Sequence, residues 1–262
     1  MVKLFYVLGI LIFSSCFISS NFPDRPISIS DDRNSYFDTL YLPKIDTSEV
    51  LVRHYAYSLV YNESCEQAKW VFYTMNSKKI NGPYSRSDKF KSDTSIKTGS
   101  ANHSDYKGSG FDRGHLAPAA DMTWSKQAMD ESFYYSNMSP QNPSFNRGVW
   151  RKLESRVRKW IVDFDSLYVT TGPVLDTNLI FIGDNVAVPS YFFKTVVGFK
   201  DSTINTIAFL LPNEGSKKEL KQFVISIDSL ETFSGLNFNS SLEQPLQDSL
   251  EKTTYLDCWK FH

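Results

Sequence analysis

Apolar residues recur along this chain with two different periods. From Val52 to Tyr61, Tyr55, Tyr57, Leu59 and Tyr61 occupy alternate positions, and Trp70 to Met75 is a short apolar run. Alternation puts such side chains on one face of an extended segment, so these two stretches are predicted to be partner strands. Asn76 to Tyr106 is polar and rich in Ser, Lys and Asp, which predicts a long surface connection; connections of that length are usually functional or disordered. Ser125 to Phe133 predicts a short helix capped by Ser125. The strongest helical signal is Phe145 to Val162, where Val149, Trp150, Leu153, Val157, Trp160 and Ile161 recur every three or four residues. Strands are predicted at Leu167–Thr171, Phe192–Phe199 and Thr203–Leu211, then a helix over Lys217–Ile227, with Asp228 to Leu236 leading into a closing segment. Strands and helices mix without regular βαβ alternation. That pattern favours an α+β architecture over a doubly wound sheet.

The 262 residues can bury a substantial core, and one domain is the simplest reading. A formal net charge of -1 excludes a chain that is basic overall, so any phosphate-binding surface must be a local patch. Residues 1–20 read as an export signal: Lys3, then an apolar run from Leu4 to Phe13, then Ser14-Ser15-Cys16. The run is short for a bilayer span, so the segment is expected to be a cleaved signal rather than an anchor. Cys16 stands where a bacterial lipoprotein signal places its acylated cysteine, so lipid anchorage in the outer membrane and release to the periplasm or medium both remain open. Residues 21–43, with three prolines and many Asp and Ser, read as a flexible tether, and residues 44–262 as the folded domain. In an exported protein a Cys65–Cys258 disulfide is expected; two separate buried thiols are the alternative.

The chemistry concentrates in Asp112-Arg113-Gly114-His115 and in Asn137, Asn146, Glu154 and Arg158. His115 titrates near neutrality and can serve as a base. Arg113, two residues earlier, would point the same way on an extended segment and offers a fork of donors to phosphate. Its bland alternative is a salt bridge with Asp112. Gly114 suggests a backbone conformation that other residues resist. Asn146, Trp150, Glu154 and Arg158 are four residues apart and would form one helical stripe, although Asn146 could be only an N-cap and Glu154–Arg158 only an i,i+4 pair. Amide and carboxylate oxygens suit a hard ion such as Mg²⁺, with Mn²⁺ as the substitute. Zinc is disfavoured, because His54, His103, His115 and His262 show no close His or Cys pairing. A phosphate clamp, a base and oxygen ligands together make a set for cutting phosphodiesters.

The run from Tyr106 to Asp121, with Ser136 to Gln141, Asn146 to Trp150, Leu153-Glu154 and Arg158, resembles the two signature blocks of the DNA/RNA non-specific endonucleases. These belong to the ββα-metal, or His-Me finger, group. Weaker echoes are Thr171-Gly172-Pro173, Pro189 to Lys194, Phe209 to Asn213 and Ser234-Gly235-Leu236. The resemblance implies a central, mainly antiparallel sheet with helices on both faces and a ββα-metal finger as active site. It implies His115 as the general base, Asn146 as the direct Mg²⁺ ligand, and Glu154 as the residue that orients water on the metal. Asn137 would support the site, Arg113 and Arg158 would contact the scissile phosphate, and Arg86 would be a further family arginine. The substrates implied are DNA and RNA, held through phosphate and cut to 5′-phosphate and 3′-hydroxyl ends. Competing readings are a non-catalytic surface lipoprotein that binds polyanions and a phosphodiesterase for small nucleotides.

Overall fold

The computed structural model describes residues 18–19 and 39–262, apart from 177, 178, 202 and 262. Cys16, most of the expected signal segment and the tether as far as residue 38 lie outside the described residues. Two short strands open the chain, β1 (Ile18–Ser19) and β2 (Leu51–Arg53); two longer ones follow, β3 (Tyr57–Asn62) and β4 (Gln67–Asn76). Next come β5 (Asp112–His115), β6 (Met138–Gln141) and β7 (Ser166–Pro173). A small hairpin, β8 (Ile180–Ile182) and β9 (Val186–Val188), precedes the long strands β10 (Tyr191–Lys200) and β11 (Thr203–Pro212); β12 (Val224–Ile225) ends the set. The central sheet runs β1-β11-β10-β7-β4-β3-β2 with β12 also on β11, and its pairs are antiparallel.

The long strands bury both faces, which is why they read as apolar runs. On β10, Phe192 and Val196 enter one core while Phe193 and Val197 enter the other. Likewise Val71 and Tyr73 of β4 lie in the first core, and Trp70 and Phe72 in the second. Alternation across the pleat makes this division unavoidable. The first core is covered by Ala128 of helix α2 (Lys126–Glu131) and by Leu153, Val157 and Trp160 of α3 (Arg151–Trp160); the short helix α1 is His103–Tyr106. The second is covered by Ile227 and Leu230 of α4 (Ile227–Ser234) and Leu250 of α5 (Gln244–Lys252). The fold is α+β, an antiparallel sheet between two helical layers. Tyr41 and Leu42 already pack in the second core.

Several local expectations are corrected. The segment Val52–Tyr61 is not one strand: His54 N–H donates to the Tyr57 carbonyl at 2.8 Å, turning the chain into the β2–β3 hairpin. The connection predicted over Asn76 to Tyr106 is not merely surface, for Asp93, Ile96, Ala101, Asp105 and Tyr106 are buried in it. Lys217–Ile227 is not a helix; it holds only a 3₁₀ turn at Leu220–Phe223 and β12, and the helix begins at Ile227, capped by Ser226. Its β-branched pair Val224-Ile225 is instead drawn into the sheet beside Phe209 and Ala208 of β11. The expected Cys65–Cys258 bond does not form. Cys65 is a free, buried thiol in the β3–β4 turn, its carbonyl accepting the Ala187 N–H at 3.0 Å, while Cys258 packs against the first core.

Candidate active site

Strands β5 and β6 pair antiparallel outside the main sheet and lead into the helix that begins at Phe145. That helix opens as a π-turn over Phe145–Trp150, with Gly148 at φ -107 and ψ -110, and becomes α-helical at α3. The wider turn displaces Asn146 from the regular stripe predicted for it; Trp150, Glu154 and Arg158 keep theirs. Such π-turns frequently mark functional sites. Asn146 is no N-cap. Its Nδ2 donates to Asp112 Oδ2 at 2.8 Å, and Arg147 grips the same carboxylate with bonds of 2.8 and 2.6 Å. Asp112 therefore pairs with Arg147 and not with Arg113, and it pins the π-turn to the strand that carries His115.

Gly114 keeps an ordinary φ, so the left-handed conformation expected of it is absent. What it provides is space: a Cβ there would lie 2.1 Å from the buried Gln141 side chain. Asn137 is fully buried behind His115. Its Oδ1 accepts from Ala117 N–H at 2.9 Å, and its Nδ2 donates to the Ala117 and Ser132 carbonyls, each at 2.9 Å. With both ends of the amide engaged on backbone, Asn137 holds the chain just past His115 and has no group left to meet a substrate.

His115 and Arg113 share one side of β5. The Arg113 guanidinium lies 4.0 Å from the Phe90 ring centroid, and the His115 ring lies 6.0 Å from Phe90 and 4.9 Å from Phe133. Arg86 covers the Phe133 ring at 5.0 Å, so two cations and two phenyl rings bracket the imidazole. Arg86 otherwise pairs with exposed Asp88 at 2.6 Å. His115 is 8% exposed and its Nε2 has no hydrogen-bond partner among the described residues. Burial, then the charges of Arg86 and Arg113, push its proton affinity down to about 3. The imidazole is thus neutral at physiological pH and, without a bound anion, a weaker base than the near-neutral titration expected from the sequence; its Nε2 is left without a protein partner among the described residues.

The third group sits on the α3 side of the sheet. Arg158 Nη1 reaches Asp121 Oδ1 at 2.7 Å rather than pairing with Glu154, and Tyr73 donates its hydroxyl to Asp121 Oδ2 at 3.0 Å. Lys194 shares the parity of Phe192 and Val196, so it points into this layer fully buried, with Nζ 4.7 Å from the Trp150 ring centroid and no hydrogen-bond acceptor among the described residues. Burial holds Glu154 up at about 7 against the pull of Lys194, and holds Lys194 down at about 8. Arg86 acts on both Glu154 and His115, which ties this cluster to the imidazole. Asp121, Tyr73 and Lys194 carry no sequence signal comparable to the Asp112 motif, although a lone lysine inside the apolar run Phe192–Phe199 is one trace of it.

These residues fit a hard cation. With Asn146 Nδ2 committed to Asp112, the amide oxygen is the end left for a ligand, and Glu154 accepts no hydrogen bond among the described residues. The donor set is all oxygen, as Mg²⁺ prefers. The one acidic trio of ligand spacing among the described residues, Asp228, Glu231 and Glu251, belongs to α4 and α5 on the opposite side of the sheet.

Buried and neutral, His115 makes stability depend on pH. Between about 3 and its ordinary value near 6.5 the unfolded chain takes up a proton that the folded chain does not, so stability falls as pH drops. From pH 7 to pH 5 the wild type should lose about 2 kcal/mol more than His115→Gln, read from urea midpoints. Equal losses would contradict this account.

The sequence model of the DNA/RNA non-specific endonuclease family matches residues 40–244, a range that holds Arg86, Arg113, His115, Asn137, Asn146, Glu154, Arg158 and Lys194. Human mitochondrial endonuclease G is 35% identical over 199 residues, covering 70% of this chain and 67% of its own length. Zebrafish nuclease EXOG is 34% identical over 209 residues, 72% of this chain and 61% of its own. A nuclease from Nostoc sp. is 33% identical over 220 residues, covering 79% and 80%. Among solved structures, the complex of EndoG with EndoGI contains a chain of similar fold, with a TM-score of 0.75 at 29% identity over 87% of this chain and 97% of that one. The chain therefore belongs to the DNA/RNA non-specific endonuclease family, and is a hydrolase of the metal-dependent nuclease type.

Proposed function

We propose that this protein is a Mg²⁺-dependent, sequence-non-specific endonuclease that hydrolyses DNA and RNA to 5′-phosphate and 3′-hydroxyl ends. The observation that carries this is His115: a buried imidazole, neutral at physiological pH, unpartnered at Nε2 and flanked by two guanidinium groups. Nε2 takes the proton of an attacking water. Arg113 and Arg86 hold the scissile phosphate, whose negative charge offsets the repulsion that keeps His115 neutral. Arg158, fixed by Asp121, faces the phosphoryl oxygens from the α3 side. The Asn146 amide oxygen would hold Mg²⁺ directly and the Glu154 carboxylate would orient its water; the ion would supply positive charge against the negative charge that builds up on the phosphoryl and departing oxygens. Contact through phosphate and not base edges accounts for indifference to sequence. The apolar run Leu4–Phe13 supports reading the protein as exported from a bacterial cell, either free or anchored through Cys16.

Supercoiled plasmid and a single-stranded RNA, each incubated with Mg²⁺, should both be degraded, with activity abolished by EDTA and restored by Mg²⁺ or Mn²⁺. Asn146→Ala should need at least about tenfold more Mg²⁺ for half-maximal rate, since mutations around a metal site commonly cost that much in affinity. Binding of nucleic acid with no turnover in any divalent ion would replace this reading with a polyanion-binding protein, and turnover confined to a mononucleotide ester with a small-nucleotide phosphodiesterase.

A further inference from the structure

On the outward side of α3 lies a groove of about 510 Å³ that the site above does not use. Its basic residues are Lys152, Arg156 and Lys159 from α3 and Lys217, Lys218 and Lys221 from the β11–β12 connection. The sole acidic residue lining it is Glu219. The whole chain is nearly balanced, with 28 basic and 29 acidic residues, so six cations against one anion is a marked local excess. Among the described residues no salt bridge engages Lys152, Lys159, Lys217 or Lys218. Like charges at i,i+3 and i,i+4 on one helix face repel and destabilise it. Arg156 donates to the Lys260 carbonyl at 3.3 Å and Lys221 lies over the Phe261 ring, but Glu219 is the sole acidic side chain lining the groove, so an external polyanion would relieve that repulsion.

The position of the groove defines what it could hold. At about 100° per residue, Lys152, Arg156 and Lys159 lie roughly 140–200° around α3 from Glu154. The groove and the proposed active site therefore flank one helix, separated by about its width of 10–12 Å. That is some three phosphate steps along a strand. We propose that the groove is a second phosphate-backbone site, which holds DNA or RNA several nucleotides from the bond being cut. This rests on the nuclease reading above. It makes the protein a long-polymer enzyme, with affinity set largely by contacts remote from the chemistry.

The test is the variant Lys152→Gln/Lys159→Gln/Lys217→Gln/Lys218→Gln, whose positions are exposed and so leave folding undisturbed, as a melting curve would verify. Binding of a labelled 30-base-pair duplex is measured in EDTA against salt, and turnover of that duplex and of thymidine 5′-(p-nitrophenyl phosphate) in Mg²⁺. The slope of log affinity against log salt should shrink by roughly 2–4, at about 0.9 for each phosphate that the variant leaves unneutralised. Duplex KM should rise on the order of tenfold at moderate salt, with kcat and hydrolysis of the small ester unchanged. An unaltered slope and Kd would overturn the proposal, as would loss of binding to phosphatidylglycerol vesicles with duplex binding intact, which would assign the groove to a lipid surface. Wild-type protein that turns over neither substrate would remove the nuclease reading instead, and the EDTA binding measurement would still decide the groove.

Discussion

Replacing His115 by alanine should lower the rate of phosphodiester cleavage by roughly 10²–10⁴, the usual range for a positioned general base. Arg113, Arg86, Asn146 and Glu154 would remain to bind the phosphate and the cation, so Kd for DNA measured in Ca²⁺ should change little. Losing the ring would open space between Phe90 and Phe133, and a folded-state control is therefore needed. Thermal melting shows whether His115→Ala remains folded at the assay temperature. Added imidazole supplies the sharper readout: the space left by the missing ring should admit it, and it should restore part of the rate to the alanine variant alone. A folded variant with full activity, or a folded inactive one that imidazole does not rescue while DNA binding in Ca²⁺ is lost, would remove His115 from the role of base.

What was legible in the sequence was whatever depends on neighbours a few residues apart. Arg113 and His115 share a side because strand parity demands it, and both meet Phe90. The stripe Trp150-Glu154-Arg158 follows from helical spacing alone. Asn146 shows where that reasoning stops, because spacing cannot reveal that the first turn of this helix is wider than the rest. The connection from Asn76 to Tyr106 misled for a related reason. Its polar composition reads as surface, yet Asp93 is buried because His54 and Ser136, from segments 39 and 43 residues away, close on its carboxylate.

The partners of the site residues were harder to read because they come from across the sheet. Asp121 was visible only as the end of a motif, and Tyr73 only as an aromatic in a strand. Lys194 is the clearest case. In a strand buried on both faces, every position between Phe192 and Val197 is interior, so hydrophobicity cannot say which face a lysine will take. Parity with Phe192 and Val196 settles the face once the cores are known, and α3 then supplies Glu154 above it. Charge pairing of this sort is a tertiary property, and a single sequence contains it only as an anomaly.

The cluster around Asp121 leads to the second large effect. Asp121→Ala should destabilise the fold by about 3–5 kcal/mol, the range for removing one partner of a buried ion pair. Its carboxylate is enclosed, accepts from Tyr73 and Arg158, and lies within reach of the Lys194 charge. Burial raises its proton affinity, with Arg158 as the strongest opposing influence, so each charge is tolerated because the other is present. Removing the carboxylate leaves Arg158 and Lys194 with Glu154 as their sole nearby anion, and Glu154 is itself held up at about 7 by burial. Asp121→Asn keeps the shape and loses the charge, and should cost less than alanine. Residues that share a network do not add, so Asp121→Asn with Arg158→Gln should lose less stability than the two single changes summed. Urea midpoints of the four proteins at pH 7 measure that coupling directly. Strict additivity would mean that the ion pair contributes nothing to the fold, and that Arg158 is placed by the helix alone.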